Sequence, residues 1–243
     1  MGVARLLSQT ETLESPRIFE RSIKLSQSGI STDRGLVSLD KSALYPGPKG
    51  TMHEMCLALG CPDPSPLDPY LGQASAVHFG ADEDIGKCYL EFPRHDRPED
   101  NLVFLALKWK GSDQRLNRYT ELAGRSHQEK EAFIDELVPD PTVADVMRRS
   151  LALARDGDPD GEAVALYVTE EGTSRASIDI SVADAKSSVA DAMDVLAPLK
   201  AFNGCDVRHV FDGIRGERFG HVAAGVDRQG ATFVTVYYGA ELI

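Results

Sequence analysis

Basic and phenolic side chains alternate along short segments that have the two-residue period of β-strands. Lys87, Tyr89 and Glu91 point to one side of one such segment. Arg175 and Tyr237 take corresponding places in two later segments. Lysine and arginine supply positive charge, and tyrosine supplies a hydrogen-bond donor. Such a face suits the wall of a lined cavity, and it equally suits the solvated face of a packed sheet.

These segments belong to hairpins with a shared pattern. Residues 76–92, 163–182 and 221–239 each contain two strand-like runs around a polar or glycine-containing tip, and residues 17–42 form a poorer copy. The last hairpin has a four-residue tip that ends in glycine, which suits a type I turn. The spacing between copies is uneven, so they indicate one unit used repeatedly and not a tandem array.

Helical patterns separate the hairpins. Ser126 and Glu129 form a capping-box signature, and Pro139 ends the helix that they begin. A continuous apolar run in 102–110 predicts a strand that is buried on both faces. Residues 1–16 stay unassigned. The predicted helices are 51–60, 126–138, 142–155, 183–202 and 206–216.

Hairpins separated by helix pairs predict the α+β class: an antiparallel sheet with helices on one side. Three or four hairpins that pair edge to edge give about eight to ten strands, a number that tends to curl or to close into a barrel. Closure would place a cavity inside. We expect one domain over 1–243, with the proline-rich segment 43–72 as a wrapping segment or linker.

Composition restricts the partners. The 243 residues carry a net charge of -12, which disfavours nucleic-acid and membrane partners over most of the surface but allows a local basic pocket. Neither a signal-peptide pattern nor an apolar run of about 20 residues is present, so we expect a cytoplasmic protein. The four cysteines, Cys56, Cys61, Cys88 and Cys205, are too sparse for a disulfide scaffold.

Other chemistries find little support. His53, Cys56 and Cys61 are residue types that bind zinc, but no second pair of ligands is evident, and we expect two buried thiols and no metal. Nucleophile elbows, phosphate-binding Gly-Lys loops and dinucleotide fingerprints are absent from the expected strand-turn-helix contexts. Their absence argues against hydrolases of that fold, nucleotide-driven kinases and nicotinamide enzymes.

The hairpins, the Lys-x-Tyr spacing in 86–92 and the last strand, 233-FVTVYYG-239, resemble the aromatic prenyltransferases of the antiparallel α-β-β-α barrel type. The resemblance covers roughly residues 75 to 243 and rests on short motifs. It implies a barrel with helices outside. In that family, lysines, arginines and tyrosines in the lumen bind the diphosphate of an allylic donor, and the aromatic acceptor lies above it.

The resemblance assigns Lys87, Tyr89, Arg175 and Tyr237 to diphosphate binding. Cationic and hydrogen-bonding groups would stabilise the leaving diphosphate, while tyrosine rings would shield the allylic cation from water. The sequence contains no Asp-Asp-x-x-Asp motif, so the implied reaction is a metal-independent transfer, without a cofactor, to an aromatic small molecule or a peptide side chain.

Other positions stay open. Lys108 and Lys110 are further candidates if their strand belongs to the barrel wall, and neither Glu20 nor Glu91 is assigned as the catalytic base. The alternative is a non-catalytic accessory subunit that binds a ligand or a partner protein. The acidic composition, the proline-rich segment and the lack of a firm catalytic set favour that alternative, so the sequence leaves enzyme status uncertain.

Overall fold

Antiparallel hairpins follow one another around a ring in the structure, a computed structural model that describes residues 2–13, 15–44, 47–157, 162–204 and 206–243. The strands are β1 (Ile18–Ser26), β2 (Gly29–Ser31), β3 (Arg34–Asp40), β4 (Ala76–Asp82), β5 (Ile85–Glu91), β6 (Leu102–Lys110), β7 (Asp113–Glu121), β8 (Ala165–Glu170), β9 (Ala176–Ser181), β10 (Phe219–Val226) and β11 (Thr232–Leu242).

The first and last strands close the ring. Strands β3 to β11 pair in chain order, β3 pairs with β1, and β1 pairs with β11, where Ser22 lies opposite Tyr237 and Leu25 opposite Val234. The short β2 adds only to one end of β1. The result is a closed ten-stranded antiparallel barrel with helices outside. The predicted α+β class with a curled or closed sheet is therefore confirmed.

Alternation along each strand separates a polar lumen from an apolar outer layer. On β5, Lys87 and Tyr89 point into the barrel, whereas Cys88 and Leu90 point outward and are fully buried. The helices cover that outer layer. Alternating basic and phenolic residues in this strand therefore face an enclosed lumen and not the solvated surface of a sheet.

The helices pack on two sides of the barrel. Helices α1 and α2 cover one apolar cluster that contains Phe79 and Trp109, and α3, α4 and α6 cover a second that contains Met147 and Ile178. Each fully buried side chain of this size stabilises the fold by about 1.5–3 kcal/mol. The helices are α1 (Val3–Thr10), α2 (Pro48–Ala58), α3 (His127–Leu137), α4 (Pro141–Gly157), α5 (Met193–Leu196), α6 (Leu199–Asn203) and α7 (Val207–Phe211).

Two of these helices begin with side-chain caps, of which the sequence predicts the one on α3. The Ser126 hydroxyl accepts a hydrogen bond from the Glu129 backbone N–H, and the Glu129 carboxylate accepts one from the Ser126 backbone, which completes the capping box of α3. The Asp140 carboxylate accepts hydrogen bonds from the first backbone N–H groups of α4. Both helices lie within two residues of their predicted bounds.

The segment 43–72 contributes α2 to the outer layer. Met52 and Cys56 of α2 are fully buried, and the indole nitrogen of Trp109 on β6 donates a hydrogen bond of 3.3 Å to the carbonyl of Leu59. These contacts hold the helix against the barrel. The structure describes this segment except for residues 45 and 46.

One strand was not predicted. β7 pairs with β6 from Asp113 to Thr120, and its Asn117 and Tyr119 contact Lys108 in the lumen. Its outer residues are also mostly polar, with Leu116 as the one apolar residue between Gln114 and Thr120. Without apolar alternation, the segment has no strand signal of the kind that marks β4 or β10.

The helix predicted over 183–202 is confirmed only in its second half, where it is divided into α5 and α6. The segment contains a 3-10 turn, Ala183–Ala185, and then an extended stretch before α5 and α6. Ser187 and Val189 exchange backbone hydrogen bonds with residues 217–219, and Ser188 forms a side-chain turn with Asp191. These tertiary backbone bonds outweigh the helical spacing. The helix predicted over 206–216 is limited to α7 and a following 3-10 turn.

Candidate functional site

The barrel lumen contains two adjoining cavities of about 570 and 400 Å³. They share a boundary formed by Lys87, Tyr89, Tyr119, Asp179 and Tyr237. We name the larger cavity the basic end and the smaller one the histidine end. Together they are large enough to enclose most of a small organic ligand.

All four residues that the resemblance selects lie at the basic end. Lys87 and Tyr89 reach it from β5, Arg175 from the position just before β9, and Tyr237 from β11. The structure therefore brings side chains from three hairpins into one cavity. Their assignment to diphosphate binding stays a prediction.

Five cations form what we call the basic layer, defined as Lys24, Arg34, Lys87, Lys108 and Arg175. Two more cations, Lys110 and Arg228, line the same cavity, as do five carboxylates: Asp82, Asp113, Glu170, Asp179 and Asp227. Asp82 forms an ion pair with Arg34 and lies 3.3 Å from Lys87 Nζ. Burial alone would raise the pKa of Asp82, but Lys87 and Arg34 hold it well below its usual value, so this carboxyl stays ionised.

Positive charge exceeds negative charge in this cavity, and the pKa values of two of its lysines are lowered. Burial, only partly offset by Asp82, lowers the pKa of Lys87 to about 8. Burial and then the neighbouring charges of Arg175 and Lys87 lower the pKa of Lys108 well below its usual value. An anion that enters this layer would therefore favour protonation of both lysines.

Neutral groups contact three of these cations. The Asn117 side-chain oxygen accepts hydrogen bonds from Lys108 at 3.0 Å and from Arg175 at 3.1 Å. Lys24 lies 4.8 Å and Arg175 5.5 Å from the centre of the Phe233 ring, which attracts both cations. These contacts position the cations without a carboxylate partner for each one.

Arg228 closes the rim of the basic end. It lies in the β10–β11 turn and donates hydrogen bonds to Asp113 in the β6–β7 hairpin and to Glu170 on β8. Burial opposes ionisation of Glu170, but Arg228 and Arg175 lower its pKa. Lys110 also lies at the rim, where it is 65% exposed and paired with Asp84. Lys108 therefore lies inside the lumen, and Lys110 lines its mouth.

Aromatic rings separate the two cavities. Tyr89 and Tyr119 meet edge to face with ring centres 5.7 Å apart, and Phe104 meets Tyr119 at 5.9 Å. On the opposite side, Tyr237 stacks flat on His221 at 3.7 Å. Burial raises the pKa values of Tyr89 and Tyr237, so both stay neutral phenols. A ligand that spans the cavities passes between these rings.

At the histidine end, His221 is clamped by two carboxylates. Its Nδ1 lies 2.8 Å from Asp179 and its Nε2 3.1 Å from Glu20. Burial opposes the charged form, but Asp179 and Glu20 raise the pKa of His221 well above its usual value. His221 is therefore an imidazolium at neutral pH, stacked on Tyr237.

His78 has a different environment. Its Nδ1 lies 2.7 Å from the Ser38 hydroxyl and its Nε2 3.0 Å from Glu91. Apolar side chains complete the cavity near it, among them Leu36, Phe104 and Leu166. This end therefore combines an apolar surface with several hydrogen-bonding groups, which suits a planar, mostly apolar ligand that carries hydrogen-bond donors.

Sequence reasoning missed several of these residues. The Lys-x-Tyr spacing does not occur around Lys24 or Arg34, and the partners of His221 lie 42 and 201 positions away. β7, which carries Asn117 and Tyr119, has polar residues on both faces and therefore gave no strand signal. Recognition of β7 would have added Tyr119 to the predicted site.

The region around His53 does not form a metal centre. His53 Nε2 lies 2.6 Å from Asp68, while Cys56 and Cys61 are buried in the apolar core. Over the described residues, no group of three His, Cys, Asp or Glu side chains is arranged to hold a metal ion. Cys205 lies outside the described residues. None of the described helices is long and apolar enough to cross a bilayer.

Comparison with known proteins gives matches to solved structures. The chain superposes on 5-dimethylallyltryptophan synthase from Streptomyces coelicolor with a TM-score of 0.61 and 13% identity, over 90% of this chain and 80% of that one. AnaPT from Neosartorya fischeri gives a TM-score of 0.51 and 12% identity, over 92% and 78%. NotF in complex with brevianamide F and DMSPP gives 0.51 and 11%, over 93% and 80%.

No protein-family model and no curated protein matches the sequence. At this low identity, the structural matches establish the fold. The barrel of this chain is the fold of the aromatic prenyltransferases, so the resemblance found in the sequence is confirmed at that level. The substrates and chemistry of this chain are a separate question.

Proposed function

We propose that this protein is an enzyme that transfers a prenyl group from an allylic diphosphate to an aromatic acceptor. The observation that carries the proposal is the order of groups along the lumen: the basic layer, then the ring pair Tyr89–Tyr119 with Tyr237, then the histidine end. That order matches the three parts of such a reaction, which are a polyanionic leaving group, an allylic cation and an acceptor.

The donor diphosphate would bind in the basic layer. Seven cationic side chains and five carboxylates line this cavity, which leaves net positive charge for a ligand. When the carbon–oxygen bond breaks, negative charge grows on the leaving oxygen, and preorganised cations stabilise it. We propose that these side chains supply the charge that a metal ion provides in other enzymes, and that transfer is metal-independent.

The allylic group would then lie between the rings. The π faces of Tyr89, Tyr119 and Tyr237 attract a delocalised cation and keep water away from it. The acceptor would occupy the histidine end, against Phe104 and Leu166. Prenyl transfer to an aromatic carbon leaves a proton to be removed, and the His78–Glu91 pair is positioned to accept it through the Ser38 hydroxyl.

A thermal-shift experiment with inorganic diphosphate and a thiolo analogue of an allylic diphosphate tests donor binding. At 100 times the dissociation constant, binding stabilises the folded state by about 2.7 kcal/mol. We expect a rise in melting temperature with the wild type and none with the double variant Lys87→Ala, Arg175→Ala. Lys110→Ala is the matched control, because Lys110 is exposed at the rim.

Transfer itself is tested by incubation with dimethylallyl diphosphate and a panel of indole and phenol acceptors, followed by mass spectrometry. We expect a product one prenyl unit heavier, in the presence of a chelator as well as in its absence. Binding of diphosphate without any product, together with co-purification of a partner protein, would favour the non-catalytic alternative. No diphosphate binding at all would refute the proposal.

A further inference from the structure

Lys108 is a buried amine with neutral partners. Its Nζ donates hydrogen bonds to the Asn117 side-chain oxygen at 3.0 Å and to the Tyr119 hydroxyl at 3.1 Å. Its cross-strand neighbour, Lys87, has a carboxylate partner in Asp82 at 3.3 Å. Among the ion pairs of the described residues, Lys108 has none. Lys87 and Lys108, both in the basic layer, therefore differ in their chemical environment.

The neighbours of Lys108 add positive charge. Arg175 donates to the same Asn117 oxygen, and Lys87 lies directly opposite on β5. Glu170 and Asp82 act on Lys108 only at longer range. Enclosure in the lumen and two nearby cations both disfavour an ammonium group, and a desolvated lysine beside another cation is an activated nucleophile. Accordingly, the pKa of Lys108 is well below its usual value.

The cavity around Lys108 also selects its reaction partner. Lys24, Arg34 and Arg175 line the same space of about 570 Å³ and favour a ligand with a phosphate or diphosphate group. A carbonyl carbon on such a ligand would lie close to the amine. The lumen therefore combines cations that attract a phosphate group with an amine whose pKa is lowered.

We propose that Lys108 captures aldehydes that carry a phosphate or diphosphate group, by forming a Schiff base. The amine lone pair adds to the carbonyl carbon, giving a carbinolamine. Tyr119, 3.1 Å from Nζ, donates a proton to the carbinolamine hydroxyl, which leaves as water, and the proton lost from nitrogen returns to the phenolate. The C=N bond forms and one water molecule is released. This activity is separate from prenyl transfer and requires no allylic donor.

Pyridoxal 5′-phosphate is a suitable probe, because it combines an aldehyde with a phosphate. The full-length protein is incubated with it at pH 7.4, reduced with borohydride, digested and mapped by mass spectrometry. At this pH an ordinary lysine, with a pKa of about 10.4, is about one part in a thousand neutral. We expect about ten times more reduced adduct on Lys108 than on Lys110 or other exposed lysines. Inorganic diphosphate should strongly suppress formation of the adduct on Lys108.

Two variants define the assignment. Lys108→Arg should remove the adduct, whereas Lys110→Arg, two residues away and exposed, should leave it unchanged. Peptide mapping of the wild type locates the adduct even if Lys108→Arg fails to fold. Labelling confined to exposed lysines, or an adduct on Lys108 that diphosphate does not suppress, would overturn the proposal. Because the assay involves no prenyl donor, absence of prenyl transfer would not affect its outcome.

Discussion

Lys87 and Lys108 hold opposite positions on β5 and β6, and their protonation is tied to what the lumen contains. Both have a lowered pKa because they are buried in a layer with excess positive charge. A bound polyanion reverses that balance and raises both pKa values. Ligand binding and proton uptake are therefore linked at these two residues.

The linkage predicts how diphosphate affinity varies with pH. Because Lys87 loses its proton around pH 8 in the free protein, binding should weaken as pH rises above that value. Deprotonation of one lysine with this pKa accounts for a decrease of about tenfold in diphosphate affinity between pH 7 and pH 9. Isothermal titration calorimetry with inorganic diphosphate measures the change. In Lys87→Arg the charge stays, and the profile should flatten; a wild-type affinity that does not change over this range would contradict the linkage.

His221 has the opposite role, because its charge holds two buried carboxylates together. We expect His221→Gln to destabilise the protein by about 3 kcal/mol, since Glu20 and Asp179 would remain without a cation between them. The contribution of His221 is complete below its unfolded pKa of about 6.5 and is lost only as pH rises through the raised folded value.

Urea denaturation at pH 6, 8 and 10 checks this stability difference. The difference in the free energy of unfolding between wild type and His221→Gln should be complete at pH 6 and should decrease only at alkaline pH. His209→Gln is the control, because that side chain is 85% exposed. A difference between wild type and His221→Gln that grew with pH would show that the sign is wrong.

At the level of elements, the barrel depends on close contact between β9 and β10. A Cβ atom on Gly225 would lie 2.2 Å from the carbonyl oxygen of Ala176 and 2.5 Å from the Cα of Ser177. Both are backbone atoms of β9, which cannot move without breaking its pairing with β8. Gly225 therefore allows the two strands to approach at this point.

Gly225→Ala should accordingly lower the free energy of unfolding by about 1–3 kcal/mol. The matched control is Gly50→Ala in α2, where no atom lies within 4 Å of the added Cβ. That change should stabilise the helix by about 0.5–1 kcal/mol. Chemical denaturation of the two variants, followed by circular dichroism, should give shifts of opposite sign.

The elements that sequence alone could predict are those with their own local signals. The hairpins containing β4–β5, β8–β9 and β10–β11 have alternation and a turn, and α3 has a capping box. β7 has polar residues on both faces, and 183–202 has helical spacing but backbone bonds to β10. Those two segments are determined by their neighbours in space, which no local pattern reveals.

The same distinction applies to the site. Lys87, Tyr89, Arg175 and Tyr237 were detectable because they occupy corresponding places in similar hairpins. The clamp on His221 joins β1, β9 and β10, and it exists only because the barrel closes. Its members carry no shared motif.

For the whole molecule, closure depends on the pairing of β1 with β11, which are more than 200 residues apart along the chain. We expect one cooperative unfolding transition. A chain that stops at residue 230 lacks β11 and should lose that transition, because β1 and β10 lose their common partner. A chain that stops at residue 240 keeps the pairs from Arg21 to Ser26 and is the control. Urea titration of both distinguishes these outcomes.

The basic layer withdraws five of the 26 lysine and arginine side chains from the outer surface of a chain whose net charge is -12. A small anion is therefore repelled by the outer surface before it is attracted by the basic layer. Dissolved salt screens the outer field over about 10 Å at 0.1 M, while the enclosed cations are screened much less. The association rate constant of diphosphate, measured by stopped-flow, should therefore increase with ionic strength. An enzyme whose outer surface attracts its substrate would show the opposite dependence.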